Sequence, residues 1–385
     1  MRTKIMRAIK SLAALIPIVL NLMVFSPTTL RAQSVADSSA DNVRIGVLRL
    51  FHPRRFTVAA PAGSAVVLHV GDERFVLEES SGLDSATVRI AGSEMLVSVG
   101  GHEMRASKLT ASGRKRESVD FVLAVPEKLT RRYRGTLEIK AIAGTLAAVV
   151  AMDRETAVAS VVAAENTPDT PFEALKAQAV AARSYLAAGS GRHRDFDFCD
   201  TTHCQFLREP PAPGSAAARA VLATSGLVLA YDSHPLAAMY TRSCSGRTRT
   251  PAELGLSPAD YPYYSVDCKY CRAHPARWSS RISAQDADAL RSSDESARLK
   301  IDRRLGWSAV PSNDFIVKNE RDQIILEGTG EGHGIGLCQS GAAAMAEAGA
   351  DFRQILSHYY PNTTVVSWPG PASRQPVVAR TSRLP

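Results

Sequence analysis

The period of the apolar residues changes near residue 154, and that change constrains the fold more than any other feature of the chain. From Val43 to about Lys140, short β-branched runs (Val43–Leu50, Ala65–His69, Arg74–Leu77, Met95–Val99) are separated by Gly, Pro, Asp and Ser. That alternation of run and turn predicts strands. From Arg154 to Glu165 the spacing becomes helical, with Val158, Val161, Val162 and Glu165 at i, i+3, i+4 and i+7. Two prolines between Asn166 and Pro171 break this helix. A second is expected with Thr170 as N-cap, Pro171 at N1 and Glu173 at N3, a capping box, and runs through Leu186 to end near Gly189. Strands and turns fill residues 215–330, and Gly341–Gly349 and Phe352–Tyr359 read as helices stopped by Pro361.

The formal charge of +8 suggests an anionic partner, but much of it sits at one end. The first 32 residues hold five basic and no acidic residues, which leaves 41 basic against 38 acidic in the rest. Arg2 to Lys10 form a positive segment, Leu12 to Phe25 an apolar one, and the small Ala32 precedes Gln33. This order predicts a secretory signal peptide cleaved after Ala32, with an uncleaved membrane anchor as the alternative. Nothing later is long and apolar enough to span a bilayer, so no integral membrane domain is expected after cleavage. The remaining basic residues are scattered and no phosphate loop is present, so no nucleic-acid partner is expected.

Export permits disulfides. Yet the six cysteines all fall in the second half, and His193, Cys199, His203 and Cys204 lie within twelve residues. Two thiolates and two imidazoles make a tetrahedral zinc shell with no position left for water, hence a structural site that fixes a loop. A Cys199–Cys204 disulfide is the alternative. Cys268 and Cys271, with His274 and Cys244 nearby, form a second candidate cluster that could be a disulfide, a redox pair or a second metal site, with a disulfide or structural role preferred.

Two glutamates compete as a proton donor. Glu173 is assigned to the capping box, a role that favours its ionised form. Glu165 ends a helix in line with the valine stripe. Apolar surroundings and the negative end of the helix dipole both disfavour its charge and raise its pKa. Lys176, Gln178 and Arg183 stand among small alanines, so Gln178 and Arg183 are candidates for sugar binding or for internal hydrogen bonds. His333 lies between glycines and is a second candidate for substrate positioning or proton movement. Gln339, Tyr240 and Ser243 are further cleft candidates.

Three segments carry a family resemblance: VVAAE at 161–165 followed by FEALKAQAVAARSYLAA at 172–188, HRDFDFCDTTHC at 193–204 with Gln205, and EGHGIGLCQSGAAAMA at 331–346. Together they resemble the sporulation stage II protein D family and its relatives called amidase enhancers. AMYTRSCSGRT at 238–248 and YPYYSVDC at 261–268 are similar less specifically. The resemblance covers roughly residues 130–365 well and 43–130 loosely. It implies action on peptidoglycan: either lytic transglycosylase cleavage of glycan strands that have lost their peptides, or stimulation of a cell-wall amidase. It also implies zinc at the His/Cys loop and an essential glutamate at Glu165, where Asn166-Thr-Pro168 replaces the family's usual Met-Pro.

The fold class expected is therefore α+β, a β-rich N-terminal region joined to a mixed α/β catalytic core with a zinc-stabilised loop. The boundaries read as a signal peptide at 1–32, a flexible leader at 33–42, a β-rich region at 43–130, a peptidoglycan-acting core at 131–365 and a loose tail at 366–385. The expected location is the periplasm or the extracytoplasmic wall space.

Overall fold

A computed structural model describes residues 42–189, 193–257, 261–290, 295–320 and 323–368. The signal segment, nearly all of the leader and the tail beyond Trp368 lie outside the described residues. The chain is mixed α+β, with its β-rich half first.

Among the described residues, eleven strands come before any α-helix: β1 (Asn42–Val47), β2 (Arg55–Ala59), β3 (Val66–Val70), β4 (Glu73–Leu77), β5 (Ser85–Ala91), β6 (Glu94–Val99), β7 (His102–Ala106), β8 (Lys108–Ser112), β9 (Val119–Val125), β10 (Leu129–Ile142) and β11 (Thr145–Asp153). The long β10 serves two sheets. Its first half pairs with β9 and leads through β2 and β5 to β6 and β7. Its second half pairs with β11 on one edge and β8 on the other, and β8 leads to β3 and β4. Alternate residues point inward, as the period of two requires. Phe56, Val88, Val97, Phe121 and Tyr133 from one side thus share a core with Leu68, Leu109, Ile139 and Val150 from the other.

The chain leaves β11 directly into α1 (Arg154–Glu165), where the Asp153 carboxylate accepts the Thr156 N–H and caps the helix. Ala157, Val158, Val161 and Val162 face the core, as the valine stripe predicts. Next comes α2 (Phe172–Ala187), buried along nearly its whole length because alanines let its neighbours approach. Its start departs from the expected capping box. Pro171, in extended conformation, is the cap residue and no side chain caps the helix. The Thr170 N–H is bonded to the Thr167 carbonyl, so Glu173 turns elsewhere. It accepts the distant Phe352 N–H at 2.9 Å and pairs with Lys176 at 2.5 Å.

The remaining elements are β12 (Phe198–Cys199), α3 (Ala216–Ala223), β13 (Leu227–Tyr231), β14 (His234–Pro235), β15 (Tyr240–Thr241), α4 (Lys269–Ala273), β16 (Arg277–Ile282), α5 (Ala284–Leu290), α6 (Glu295–Leu305), β17 (Phe315–Glu320), β18 (Gln323–Thr329), β19 (Leu337–Cys338), α7 (Gln339–Glu347), α8 (Phe352–Tyr359) and β20 (Thr364–Ser367). β12 joins the first sheet in parallel to β1, with Cys199 beside Gly46. β15 and β19 form a short parallel pair. β20 pairs with β13, so order continues through Ser367 where a loose tail was expected from residue 366. The strands β16–β18–β17, with α5 and α6, enclose a small separate core around Ile301, Val310 and Leu326. No helix among the described residues is long and apolar enough to cross a membrane.

Arg183 is a structural residue and not a sugar contact. It is 1% exposed, forms two 2.7 Å bonds to the Glu155 carboxylate, and donates to the carbonyls of Val221 and Leu227. One guanidinium so ties α2 to α1, α3 and β13. Removing one partner of a buried pair leaves the other charge uncompensated, at a cost of about 3–5 kcal/mol. Glu155→Ala is therefore expected to lose stability at the lower end of that range, since Glu155 is partly exposed, as measured by urea unfolding.

Candidate active site

Glu165 is the last residue of α1. Asn166 ends the helix by turning extended, and its side-chain amide caps the Val162 carbonyl at 2.9 Å. The Glu165 carboxylate projects among groups from three distant parts of the chain. Its Oε1 accepts the main-chain N–H of Phe206 at 3.0 Å and the Tyr240 hydroxyl at 3.3 Å. Its main-chain carbonyl accepts the Gln339 side-chain amide at 3.1 Å and Arg242 Nη1 at 3.5 Å. Gln205 completes the cluster, with its Oε1 3.4 Å from the Tyr240 hydroxyl and its Nε2 donating to the Ala182 carbonyl at 3.2 Å.

Burial dominates the electrostatics. It pushes the Glu165 carboxyl up from 4.5 to about 7, against the opposing pull of the Phe206 N–H, the Tyr240 hydroxyl and the Arg242 charge. A carboxyl at that value is part protonated at neutral pH and able both to give and to take a proton. No second carboxylate bonds into this cluster among the described residues.

The loop that delivers Phe206 begins at the His/Cys cluster. The donor atoms of His193, Cys199, His203 and Cys204 all lie within 4.8 Å of one another. His193 Nε2 is 3.3 Å from Cys204 Sγ, and His203 Nδ1 is 3.8 Å from Cys199 Sγ and 3.6 Å from Cys204 Sγ. Both thiols are free, in contrast to the disulfide alternative. Hydrogen bonding, chiefly from Cys204, pulls the Cys199 thiol well below its ordinary value, toward the thiolate form that a metal requires. Two sulfurs and two imidazole nitrogens at this spacing fit a four-coordinate zinc with every position filled by protein. The surroundings fix the loop to the sheet: the Asp200 carboxylate accepts the N–H groups of Leu48 and Arg49. Cys204 then runs straight into Gln205 and Phe206, so whatever fixes the cluster also fixes the donor to Glu165.

The other candidates separate. Tyr240 and Gln339 join Glu165. Gln178 is 1% exposed, and neither of its amide atoms has a hydrogen-bond partner among the described residues. A buried amide of that kind calls for water or a ligand group. His333 makes no bond to the carboxylate among the described residues: its Nδ1 accepts the Ile335 N–H at 3.0 Å, its ring bonds the main chain of Tyr240, and burial lowers its pKa. Ser243 is not a cleft residue. Its main chain pairs with Glu331 and its hydroxyl lies 3.5 Å from Cys271 Sγ. The glycines after His333 serve the protein's own packing. Gly336 has φ 72°, and a Cβ there would lie 2.0 Å from the Met239 carbonyl oxygen, so only glycine lets β19 approach β15.

Three contributors were not foreseen. Arg242 and the main-chain N–H of Phe206 carry no signal in residue type, whereas Gln205 follows the two ligand-type residues within a family-like segment. Cavity size does not mark the site either: a cavity of about 810 Å³ over the first sheet, lined by Arg44, His69, Lys108 and Glu138 among others, excludes Glu165.

The segment that carries these residues is similar to known proteins. Residues 143–231, which hold Glu165, the four His/Cys residues and Gln205, match the family model described as Stage II sporulation protein. The chain is 29% identical over 269 residues to an uncharacterized protein of Brachyspira hyodysenteriae (strain ATCC 49526 / WA1), covering 61% of this chain and 73% of that one. It is 27% identical over 248 residues to the Stage II sporulation protein D of Bacillus amyloliquefaciens, covering 53% and 71%. A shorter match, 42% identical over 64 residues, is to the Amidase enhancer of Bacillus subtilis (strain 168), covering 17% of this chain and 9% of that one. Residues 143–231 thus match the stage II sporulation protein D family, and the matches to proteins named Stage II sporulation protein D and Amidase enhancer support the same family for the chain.

Proposed function

We propose that the chain is an exported lytic transglycosylase that cuts peptidoglycan glycan strands, with Glu165 as its single acid and base. The observation that carries this reading is one carboxyl, raised to about 7 by burial and held by two donors, with no carboxylate partner among the described residues. Hydrolysis of a glycosidic bond ordinarily needs two carboxylates, one to protonate the leaving oxygen and one to activate water or attack. A transglycosylase manages with one because the substrate supplies the nucleophile. Glu165 gives its proton to the leaving oxygen as the C1–O bond breaks. The muramic acid's C6 hydroxyl attacks C1 and its proton returns to Glu165, leaving a 1,6-anhydro ring. Phe206 and Tyr240 stabilise the carboxylate between the two transfers. Zinc held by His193, Cys199, His203 and Cys204 would supply rigidity and no chemistry, since four protein ligands would leave no position for water.

The rate of glycan release from peptide-stripped sacculi tests the reading through its pH dependence. The reaction needs protonated Glu165, so kcat/KM should fall as pH rises through about 7. Tyr240→Phe removes a donor that favours the carboxylate, so it should move that limb to higher pH by a few tenths of a unit to about one unit. A limb that stays in place in Tyr240→Phe, or a rate that is flat between pH 6 and 9, contradicts the assignment.

The match to a protein named Amidase enhancer supports a second reading, a wall-binding stimulator of an amidase. It differs at one residue: stimulation of amidase turnover would survive Glu165→Gln unchanged.

A further inference from the structure

Four cysteines outside the Glu165 cluster meet at one buried point. Cys244 follows β15, Cys268 precedes α4, Cys271 lies within α4, and Cys338 ends β19 and caps α7. Each is 3% exposed or less, and their four Sγ atoms all lie within 4.8 Å of one another. His274, the imidazole nearest in sequence, is not among them; it bonds the Tyr270 carbonyl. The Cys271 and Cys338 sulfurs are 3.5 Å apart. A disulfide requires about 2.05 Å. Four thiolates around one zinc at about 2.3 Å each stand roughly 3.8 Å apart, which is the spacing class seen here.

The surroundings are those of a thiolate site and not of thiols filling an apolar gap. Polar groups lie beside three of the sulfurs: the Gly341 N–H donates to Cys338 at 3.4 Å, and the hydroxyls of Tyr359 and Ser243 lie 3.6 Å from Cys268 Sγ and 3.5 Å from Cys271 Sγ. Such outer contacts orient metal ligands and spread their charge. Gly341 also keeps the space open, since a Cβ there would lie 2.6 Å from Cys268 Sγ. A buried cysteine taken alone behaves as a small apolar residue. Four that converge from separate stretches, three of them beside polar groups, do not.

We propose that Cys244, Cys268, Cys271 and Cys338 hold a second zinc ion in a closed tetrathiolate site, which fastens the segment carrying Tyr240 and Arg242 to the segment carrying Gln339. Cys244 lies two residues beyond Arg242 and Cys338 immediately before Gln339, so the ion sits behind two of the contacts made to Glu165. The metal assignment does not depend on what reaction Glu165 performs.

The test is the metal content of the purified full chain, produced with zinc available and measured by mass spectrometry. Two zinc ions per chain are expected. Cys338→Ser and the double variant Cys268→Ser/Cys271→Ser should each retain one, and His203→Ala should retain the other. Cobalt exchange guards against variants that misfold. Wild type should show sulfur-to-cobalt charge transfer of six thiolates per chain, and His193→Ala/His203→Ala should keep the four-sulfur part. Zinc content unchanged by the loss of Cys338, or alkylation of the unreduced chain that finds the four cysteines joined as disulfides, would overturn the proposal.

Discussion

Glu165→Gln should lower the rate of glycan cleavage by about 10³-fold or more, within the 10²–10⁴ range that a positioned acid contributes, and should make the protein more stable at pH 8. The two effects share one cause. Burial raises the folded-state pKa from 4.5 to about 7, so the folded protein binds this proton more tightly than the unfolded chain does. The stability that follows is fully present below about pH 4.5 and is lost as pH rises through 7. Glutamine mimics the protonated form and escapes the loss. The variant should match wild type near pH 4 and exceed it at pH 8 by on the order of 2–3 kcal/mol. Urea unfolding at the two pH values checks this. A variant equally stable at both, relative to wild type, would mean that Glu165 is an ordinary surface carboxylate.

Dismantling the His/Cys loop is expected to have the next largest effect, although none of its residues touches the reacting atoms. His203→Ala should lose one metal ion per chain and at least ~3 kcal/mol of stability, because binding to a site absent from the unfolded chain adds to folding free energy. For a folded part of more than 300 residues that lowers Tm by roughly 4–5 °C or more. The loop's next residues are Gln205 and Phe206, and the Phe206 N–H lies 3.0 Å from the Glu165 carboxylate. Displacement of a positioning group by about 1 Å can cost roughly 10²-fold in rate, and a loss near that size is expected at a temperature where the variant remains folded. Metal content, Tm and rate should fall together. A variant that keeps its metal and its Tm would show that the cluster has some other role.

The local part of this site was legible in the sequence. Four metal-type residues within twelve positions must be near one another in space, and a helix that ends on a glutamate in line with three valines is visible from spacing alone. What sequence hid was set by distant partners. The capping box at Thr170 and Glu173 satisfies every compositional rule, yet the Thr170 N–H is used within its own turn and Glu173 finds the Phe352 N–H instead. Arg183 among alanines reads equally as a cleft residue or a buried one, and only the position of Glu155 on α1 decides between them. Ser243 has the same ambiguity, settled by the sulfur beside it. Cys338 lies far along the chain from the CxxC pair, inside a glycine-rich motif that drew attention to His333.

The strand-to-helix change near residue 154 was also legible, but not the way the first half closes. Periodicity shows which face of each strand is buried; it does not show that one long strand, β10, pairs with different neighbours along its two halves. That closure supplies the edge on which β12 and Cys199 are seated.

The most direct test of the central claim is product analysis. Purified residues 33–385, loaded with zinc, would be incubated with peptide-free glycan strands beside Glu165→Gln, and the fragments weighed by mass spectrometry. Fragments that end in 1,6-anhydromuramic acid, one water lighter than hydrolysis products, are expected from wild type and not from the variant. Release of reducing ends without the anhydro ring, or no release at all from a folded and zinc-loaded wild type, would contradict the transglycosylase assignment.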